Sequence, residues 1–417
     1  MKAGTSASAK RRTNPLLALK ARDFRIYWLA LVAQVIGQQM FAFTLGWLAF
    51  EITGSQAKLG LVYLCGFAPQ FALTLLGGVL ADRVDARKLI GAAQTNAALA
   101  MIFVGAVATL GTAQLWHLAL GAFLMGLSSA IDEPARASFF PRLLPRPLLS
   151  SAVPLVSMAF GSSRVIAPSI AGFLIAAAGA PTTFLTCAAG VSIMFGALFL
   201  VRPARGEVRS HGSLLTNFTD SLNYIRRNEV FAKAIAAALL NASLAMGYIN
   251  MLPVFAKDVL QVDSRGLGIL TSAAGVGALT GLLTYAWLQT RVSPRNLMVG
   301  ALTTYNAALI GLALSDWYWL SFGMIFVAGL CHGYFLTCVQ VILQTLVEDH
   351  YRGRVMSVFT LVWSLVVFSG FLLNFAGSLV GPRLALASGA AIVLAYVWLS
   401  LARASALRQL VLASKPG

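Results

Sequence analysis

Apolar blocks of roughly 20 residues recur along the whole chain, and this recurrence limits its fold more than any other feature. A helix that crosses a bilayer needs about 20 apolar residues, because backbone groups in hydrocarbon must bond within the span. Twelve such blocks can be drawn, near 26–49, 57–80, 89–110, 115–138, 152–177, 182–201, 232–256, 266–288, 296–314, 318–343, 355–378 and 382–402. Turn-forming or polar residues separate them, as at Gly54-Ser55, Asp82 to Lys88, Gly179 to Thr182, Asp258 to Arg265 and Ser315-Asp316. Charged residues make up only 11% of 417 and hydrophobic ones 58%, against roughly 25% charged in an ordinary soluble domain. That excludes a disordered chain and argues strongly against a soluble enzyme.

The positive charges report the topology. When the connections are assigned alternately to two sides, 26 of the 31 Lys and Arg fall on one side, four on the other, and Arg164 lies inside a span. Positive residues favour the cytoplasmic side, so both termini are expected in the cytoplasm of a multi-pass protein of the inner (plasma) membrane. The net charge of +17 is scattered between apolar blocks and does not form the stripe of a nucleic-acid protein. The apolar block after the basic arm 1–25 runs to about Glu51, too long for a signal peptide, and reads as the first retained span.

The fold class expected is an all-α membrane protein with twelve transmembrane helices in two six-helix bundles. Its parts are the cytoplasmic arm 1–25, a first bundle 26–201, a linker 202–231, a second bundle 232–402 and a cytoplasmic tail 403–417. Within the linker, Leu214, Leu215, Phe218, Leu222 and Ile225 alternate with polar residues at helical spacing, as in a basic amphipathic helix lying on the membrane surface; a plain solvated linker is the other reading. The halves also repeat faintly. Arg83-Val84, Arg87 and Leu89 recur as Arg291-Val292, Arg295 and Leu297 in the corresponding loop, 208 residues on. Two repeats around a central site are how many secondary transporters are built.

The most specific stretch is Gly77-Gly78-Val79-Leu80-Ala81-Asp82-Arg83-Val84-Asp85-Ala86-Arg87-Lys88. Glycines such as Gly78 allow close helix approach in lipid. Asp82 can face the positive end of a neighbouring helix, and Arg83 and Arg87 add fixed cations on a short turn. This stretch resembles the signature between spans two and three of the major facilitator superfamily. Two departures stand out: Asp85 occupies the turn-glycine position, where Asp tolerates a left-handed backbone, and Ala86 replaces a basic residue. Further stretches are Ile131-Asp132-Glu133-Pro134-Ala135-Arg136, Arg164-Val165-Ile166-Ala167-Pro168-Ser169-Ile170-Ala171-Gly172, and Arg352-Gly353-Arg354-Val355-Met356-Ser357. Together these resemble the enterobactin-exporter-like branch, the transmembrane secretion effectors. The resemblance implies the major facilitator fold and export by proton antiport. It also implies a conformational gate (Gly78, Asp82, Arg83, Arg87, Asp132, Arg136, Arg352, Arg354) and a span-five motif (Arg164, Pro168, Gly172).

Single polar residues inside spans mark candidate cavity positions, because a charge near mid-bilayer costs about 3 kcal/mol or more. Arg164 can pair with Asp132, line a cavity or snorkel. Gln34 and Gln38, four apart, share a helix face; Asn250 and His332 complete the candidate cavity. His332 could carry a coupling proton or join two helices as a neutral side chain. Gly268, Gly275, Gly277 and Gly281 read as close helix contacts, and Glu51 as interfacial. Cys65, Cys187, Cys331 and Cys338 all sit in apolar blocks as buried thiols.

No phosphate loop ending in Lys-Ser/Thr and no zinc spacing is present, so neither a cofactor nor a metal is expected, and the chain is not expected to be an enzyme. The expected partners are a small-molecule substrate, protons and the lipid bilayer, with no nucleic acid. The function expected is secondary transport by alternating access: proton-coupled efflux of a siderophore-like, anionic or amphipathic compound, or a drug. The alternatives are a non-transporting receptor or assembly protein, or an importer of the same fold.

Overall fold

Several helices start where a short polar side chain satisfies a free backbone N–H of the first turn. In the computed structural model Asp85 accepts from Arg87 N at 2.9 Å, Asn228 from Val230 N at 3.0 Å, Asp263 from Gly266 N at 3.0 Å and Ser293 from Asn296 N at 3.3 Å. The structure describes residues 17–202, 225–226, 228–347 and 349–403; the side chains of 74–83, 146, 345–346, 349–354, 356–358 and 360–364 also fall outside the description. The arm up to residue 16, the amphipathic stretch 203–224 and the tail from 404 therefore lie outside the described residues.

Among the described residues the chain is helical, with no strand. The helices are α1 (Arg22–Thr53), α2 (Gln56–Arg83), α3 (Ala86–Thr109), α4 (Leu115–Phe139) and α5 (Leu149–Leu200). After the linker come α6 (Glu229–Leu244), α7 (Tyr248–Val254), α8 (Ser264–Leu288), α9 (Pro294–Leu314), α10 (Tyr318–Leu346), α11 (Asp349–Val380) and α12 (Pro382–Tyr396). Nine stretches of the described residues are long and apolar enough to cross a membrane.

Three features differ from a simple reading of the apolar blocks. The blocks 152–177 and 182–201 run together as α5, with one non-helical residue between them, Gly179 at φ 83° and ψ 164°. Only glycine takes such a backbone freely, and the chain reverses there without a loop. The block 232–256 is broken at 245–247, where Gly247 N donates to Ser369 Oγ at 3.0 Å, and α7 ends in a π turn, Phe255–Val259. Asp85 has φ −55°, so the expected left-handed turn is not formed. Its carboxylate instead caps α3, a task that a turn glycine could not perform.

Helices α1 to α5 pack mainly on one another, and so do α6 to α12; the two groups meet where α5 lies against α8 and α2 against α11. The α5–α8 crossing shows how the sequence permits it. A side chain at Gly172 would strike the Ser264 and Gly268 backbone, and one at Gly268 the Pro168 carbonyl. Small residues let the backbones touch, which brings hydroxyls within reach: Ser264 Oγ donates to Gly172 O at 2.9 Å, Ser272 Oγ to Val165 O at 2.5 Å, and Ser169 and Ser272 share a bond of 2.7 Å. The other span-eight glycines also face backbone, Gly275 against Arg164 and Val165, Gly277 against Phe326, and Gly281 against Leu330.

Candidate transport cavity

Four helices of the first group and one residue of the second enclose a cavity of about 310 Å3. Gln38 and Gln39 reach it from α1, Tyr63 and Gln70 from α2, Asp132, Glu133 and Arg136 from α4, Arg164 from α5 and Val367 from α11. Phe41 and Phe160 give it apolar walls.

Asp132 anchors the polar side of this wall. It is 1% exposed, and both of its oxygens are engaged. Gln34 Nε2 donates to Oδ2 at 2.8 Å, Gln94 Nε2 donates to Oδ1 at 2.8 Å, and Arg136 Nε lies 2.7 Å from Oδ2. Arg136 is itself only 7% exposed, with its guanidinium carbon 5.2 Å from the Phe160 ring centroid. Asp132 and Arg136 are one helical turn apart, so their shared face follows from sequence. The two glutamines come from α1 and α3, and only packing brings them in. A buried carboxylate is tolerable when paired and hydrogen-bonded; two amide donors and the Arg136 charge supply that.

Arg164 is exposed within the cavity, though it lies far from either end of α5. Glu133, next to Asp132, also opens onto the cavity. One wall therefore carries a neutralised ion pair, while a cation and a carboxylate face the space it bounds.

The remaining expected site residues are distributed as follows. Gln38 and Arg164 line the cavity, and Gln34 stands behind it on Asp132. Pro168 and Gly172 form the α5–α8 contact. Asn250 is not among the lining residues; its carbonyl accepts from Asn374 Nδ2 at 3.2 Å, between α7 and α11. His332 is not on this wall either, and its ring lies 6.0 Å from that of Tyr305 on α9. Arg87 sits over the Phe199 ring of α5, at 5.8 Å. The side chains of Asp82, Arg83, Arg352 and Arg354, and Gly78 with them, lie outside the described residues. Gln94, Tyr63 and Gln70 had not been singled out from the sequence. Their only signal is a polar group within an apolar run.

Away from the cavity, at the end of the helices carrying Glu51 and Gly179, a second contact joins the two groups. Lys257 Nζ lies 3.4 Å from Glu51 Oε1 and 4.6 Å from the Trp47 ring centroid. Both charged groups are partly exposed, so the ion pair and the cation–π contact together contribute about 1 kcal/mol after solvent screening. Lys257→Met should shift the balance toward opening of this end by up to about fivefold. Electron–electron distances between spin labels at Thr112 and Trp317 would report it; an unchanged distribution would show that the contact holds nothing closed.

The family model for transmembrane secretion effectors of the major facilitator superfamily matches residues 13–413. Among curated proteins, the staphyloferrin A transporter of Staphylococcus aureus (strain NCTC 8325 / PS 47) is 24% identical over 81% of this chain and 85% of its own length. The multidrug efflux pump Tap of Mycolicibacterium fortuitum is 25% identical over 75% and 78%. The enterobactin exporter EntS of Escherichia coli O127:H6 is 28% identical over 63% and 62%. Among solved structures, a bacterial homologue of the human lysosomal transporter Spinster, inward-facing and unoccupied, superposes with a TM-score of 0.74 at 16% identity, covering 95% of this chain and 99% of that one. That likeness is one of fold.

Proposed function

The chain belongs to the transmembrane secretion effector family of the major facilitator superfamily, and on that premise we propose that it is a proton-coupled exporter of small anionic or polar aromatic compounds. The observation that carries the reading is Arg164, a guanidinium exposed inside a cavity in the middle of an apolar helix. A charge at such a depth is costly and marks a ligand path, and its planar donor fork suits carboxylates and paired oxygens. Relatives named for siderophores and for drugs agree with a cavity that combines charge with aromatic walls.

The reading includes twelve spans. A straight helix of 52 residues would extend about 78 Å, far beyond the roughly 30 Å hydrocarbon core, so α5 counts as two spans divided at Gly179, whereas α6 and α7 form one broken span. The two six-helix bundles, 26–201 and 232–402, rock about the α5–α8 and α2–α11 contacts. The positive charges favour both termini cytoplasmic, and the reading places the chain in the inner membrane. The end held by Glu51 and Lys257 is then extracellular, and the cavity is loaded from the cytoplasm. Gly78, Asp82, Arg83, Arg87, Arg136, Arg352 and Arg354 belong to the cytoplasmic gate, with Asp132 bracing it.

The test is flux in proteoliposomes without nucleotide. An imposed proton gradient should drive an anionic aromatic compound against its concentration gradient, and collapsing the gradient should abolish this. Flux indifferent to the gradient overturns the coupling. Accumulation in the same direction as the proton flow identifies an importer.

A further inference from the structure

A stripe of apolar side chains on the outside of α8 ends in a cation. Val276, Leu283 and Trp287 are 43%, 79% and 57% exposed, and spacings of seven and four residues put them on one helix face. From Val276 to Trp287 the helix rises about 16 Å, close to half of the roughly 30 Å hydrocarbon core. Four residues further, in the turn before α9, the Arg291 guanidinium carbon lies 4.0 Å from the Trp287 ring centroid. At that distance the ring takes one face of the guanidinium, and the N–H groups lie at its edge, open to an acceptor.

Further cations gather at this rim. Arg295 donates to Ala402 O, which fastens the α8–α9 turn to the end of the π turn after α12 (Val397–Leu401), beside the exposed Arg403. Trp398 in that turn is also exposed. Carboxylates do not balance these charges. Residues 264–315 and 350–417 contain no Asp or Glu. Tyr396 Oη donates to Lys233 O at 3.3 Å and so brings the start of α6 to the rim, but Glu229 there is taken by Lys233 at 2.6 Å.

We propose that this rim seats an anionic phospholipid, with its phosphate on Arg291 and one acyl chain along Val276, Leu283 and Trp287. Topology alone asks only that cations stay in the water on one side of the membrane. Arg291 is instead laid on an aromatic ring, the kind of side chain that sits at headgroup level, and Arg295 is fixed to a carbonyl. The apolar stripe below has the length of one leaflet, so cation and stripe together match the shape of one lipid. A guanidinium edge suits phosphate oxygens. A zwitterionic headgroup brings an ammonium as well, and the described side chains of the rim offer it no free carboxylate. Free phosphate would meet the same cations but gain nothing from the stripe. The seat does not depend on what the protein carries or in which direction.

The test is native mass spectrometry of the purified full chain in detergent, titrated with dioleoylphosphatidylglycerol or with dioleoylphosphatidylcholine. Wild type should retain the anionic lipid at least fivefold more tightly. Arg291→Gln should weaken it about fivefold, the contribution of one cation near a membrane surface, while leaving phosphatidylcholine unchanged. Arg383→Gln is the control, because it removes an arginine bound to Asp316 at the other end of the bundle; its lipid retention should equal that of wild type. Should Arg291→Gln fail to accumulate, Trp287→Leu keeps the apolar stripe and the charge but removes the ring that positions it, and should weaken the anionic lipid alone. Equal retention of the two lipids by wild type overturns the proposal, as does an equal loss in Arg291→Gln and Arg383→Gln. Displacement of the anionic lipid by inorganic phosphate at the same concentration would make this a phosphate site and overturn the lipid seat. No transport is measured, so each of these results leaves the export reading untouched.

Discussion

Asp132→Ala is expected to lower the amount of folded protein at least tenfold. The substitution strands the Arg136 charge, 7% exposed, and leaves two glutamine amides without their acceptor. Breaking a buried pair from one side costs about 3–5 kcal/mol, whereas replacing both partners with apolar groups is often close to neutral. Asp132→Ala with Arg136→Leu should therefore recover a large part of the loss. Thermal melting followed by size-exclusion fluorescence would measure it. A single variant that melts like wild type would mean that the pair contributes nothing, and equal losses in single and double variants would mean that Asp132 acts elsewhere.

The second large effect is on binding. Arg164→Ala should weaken anionic compounds by tenfold or more, since a hydrogen bond to a charged group contributes about 1.5–3 kcal/mol. Abundance should hold, because the guanidinium is exposed to the cavity and Asp132 has three other partners. Cationic compounds of the same size should bind as before. An equal loss for both charge types would remove Arg164 from substrate recognition. A fall in abundance that removing Asp132 partly restores would make the residue a structural ion-pair partner instead.

Much of the helix layout was legible from the apolar blocks. The block at 115–138 became Leu115–Phe139, and that at 296–314 became Pro294–Leu314. Hydropathy identifies spans because the bilayer imposes one length on all of them. The break at 245–247 was not legible. It depends on Ser369, 122 residues away, accepting the Gly247 amide, and nothing local distinguishes Ala245-Met246-Gly247 from continuing helix. The site divides in the same way. The spacing of Asp132 and Arg136 predicts a shared face, but Gln94 sits in the ordinary run Ala92-Ala93-Gln94-Thr95-Asn96. Its role exists only once α3 packs beside α4. Glu133 lay within a stretch already noted for its neighbours. Its opening onto the cavity is set by the rotation of α4, which one sequence cannot supply.

On the proposed rocking of the two bundles, the hydroxyl contacts between α5 and α8 have a mechanical consequence. Ser169, Ser264 and Ser272 bond to one another or to main-chain carbonyls, and to no charged group. Carbonyls recur with every turn of a helix, and a serine rotor can exchange one for the next as the backbones slide. On that reading such a seam would behave as a lubricated bearing, carrying load in every position and favouring none. The barrier between the two proposed access states would then reside at the rims, in contacts such as Glu51 with Lys257, which would act as catches. Replacing a seam serine with alanine should consequently slow all phases of the cycle alike, while a change at a rim should prolong one state at the expense of the other.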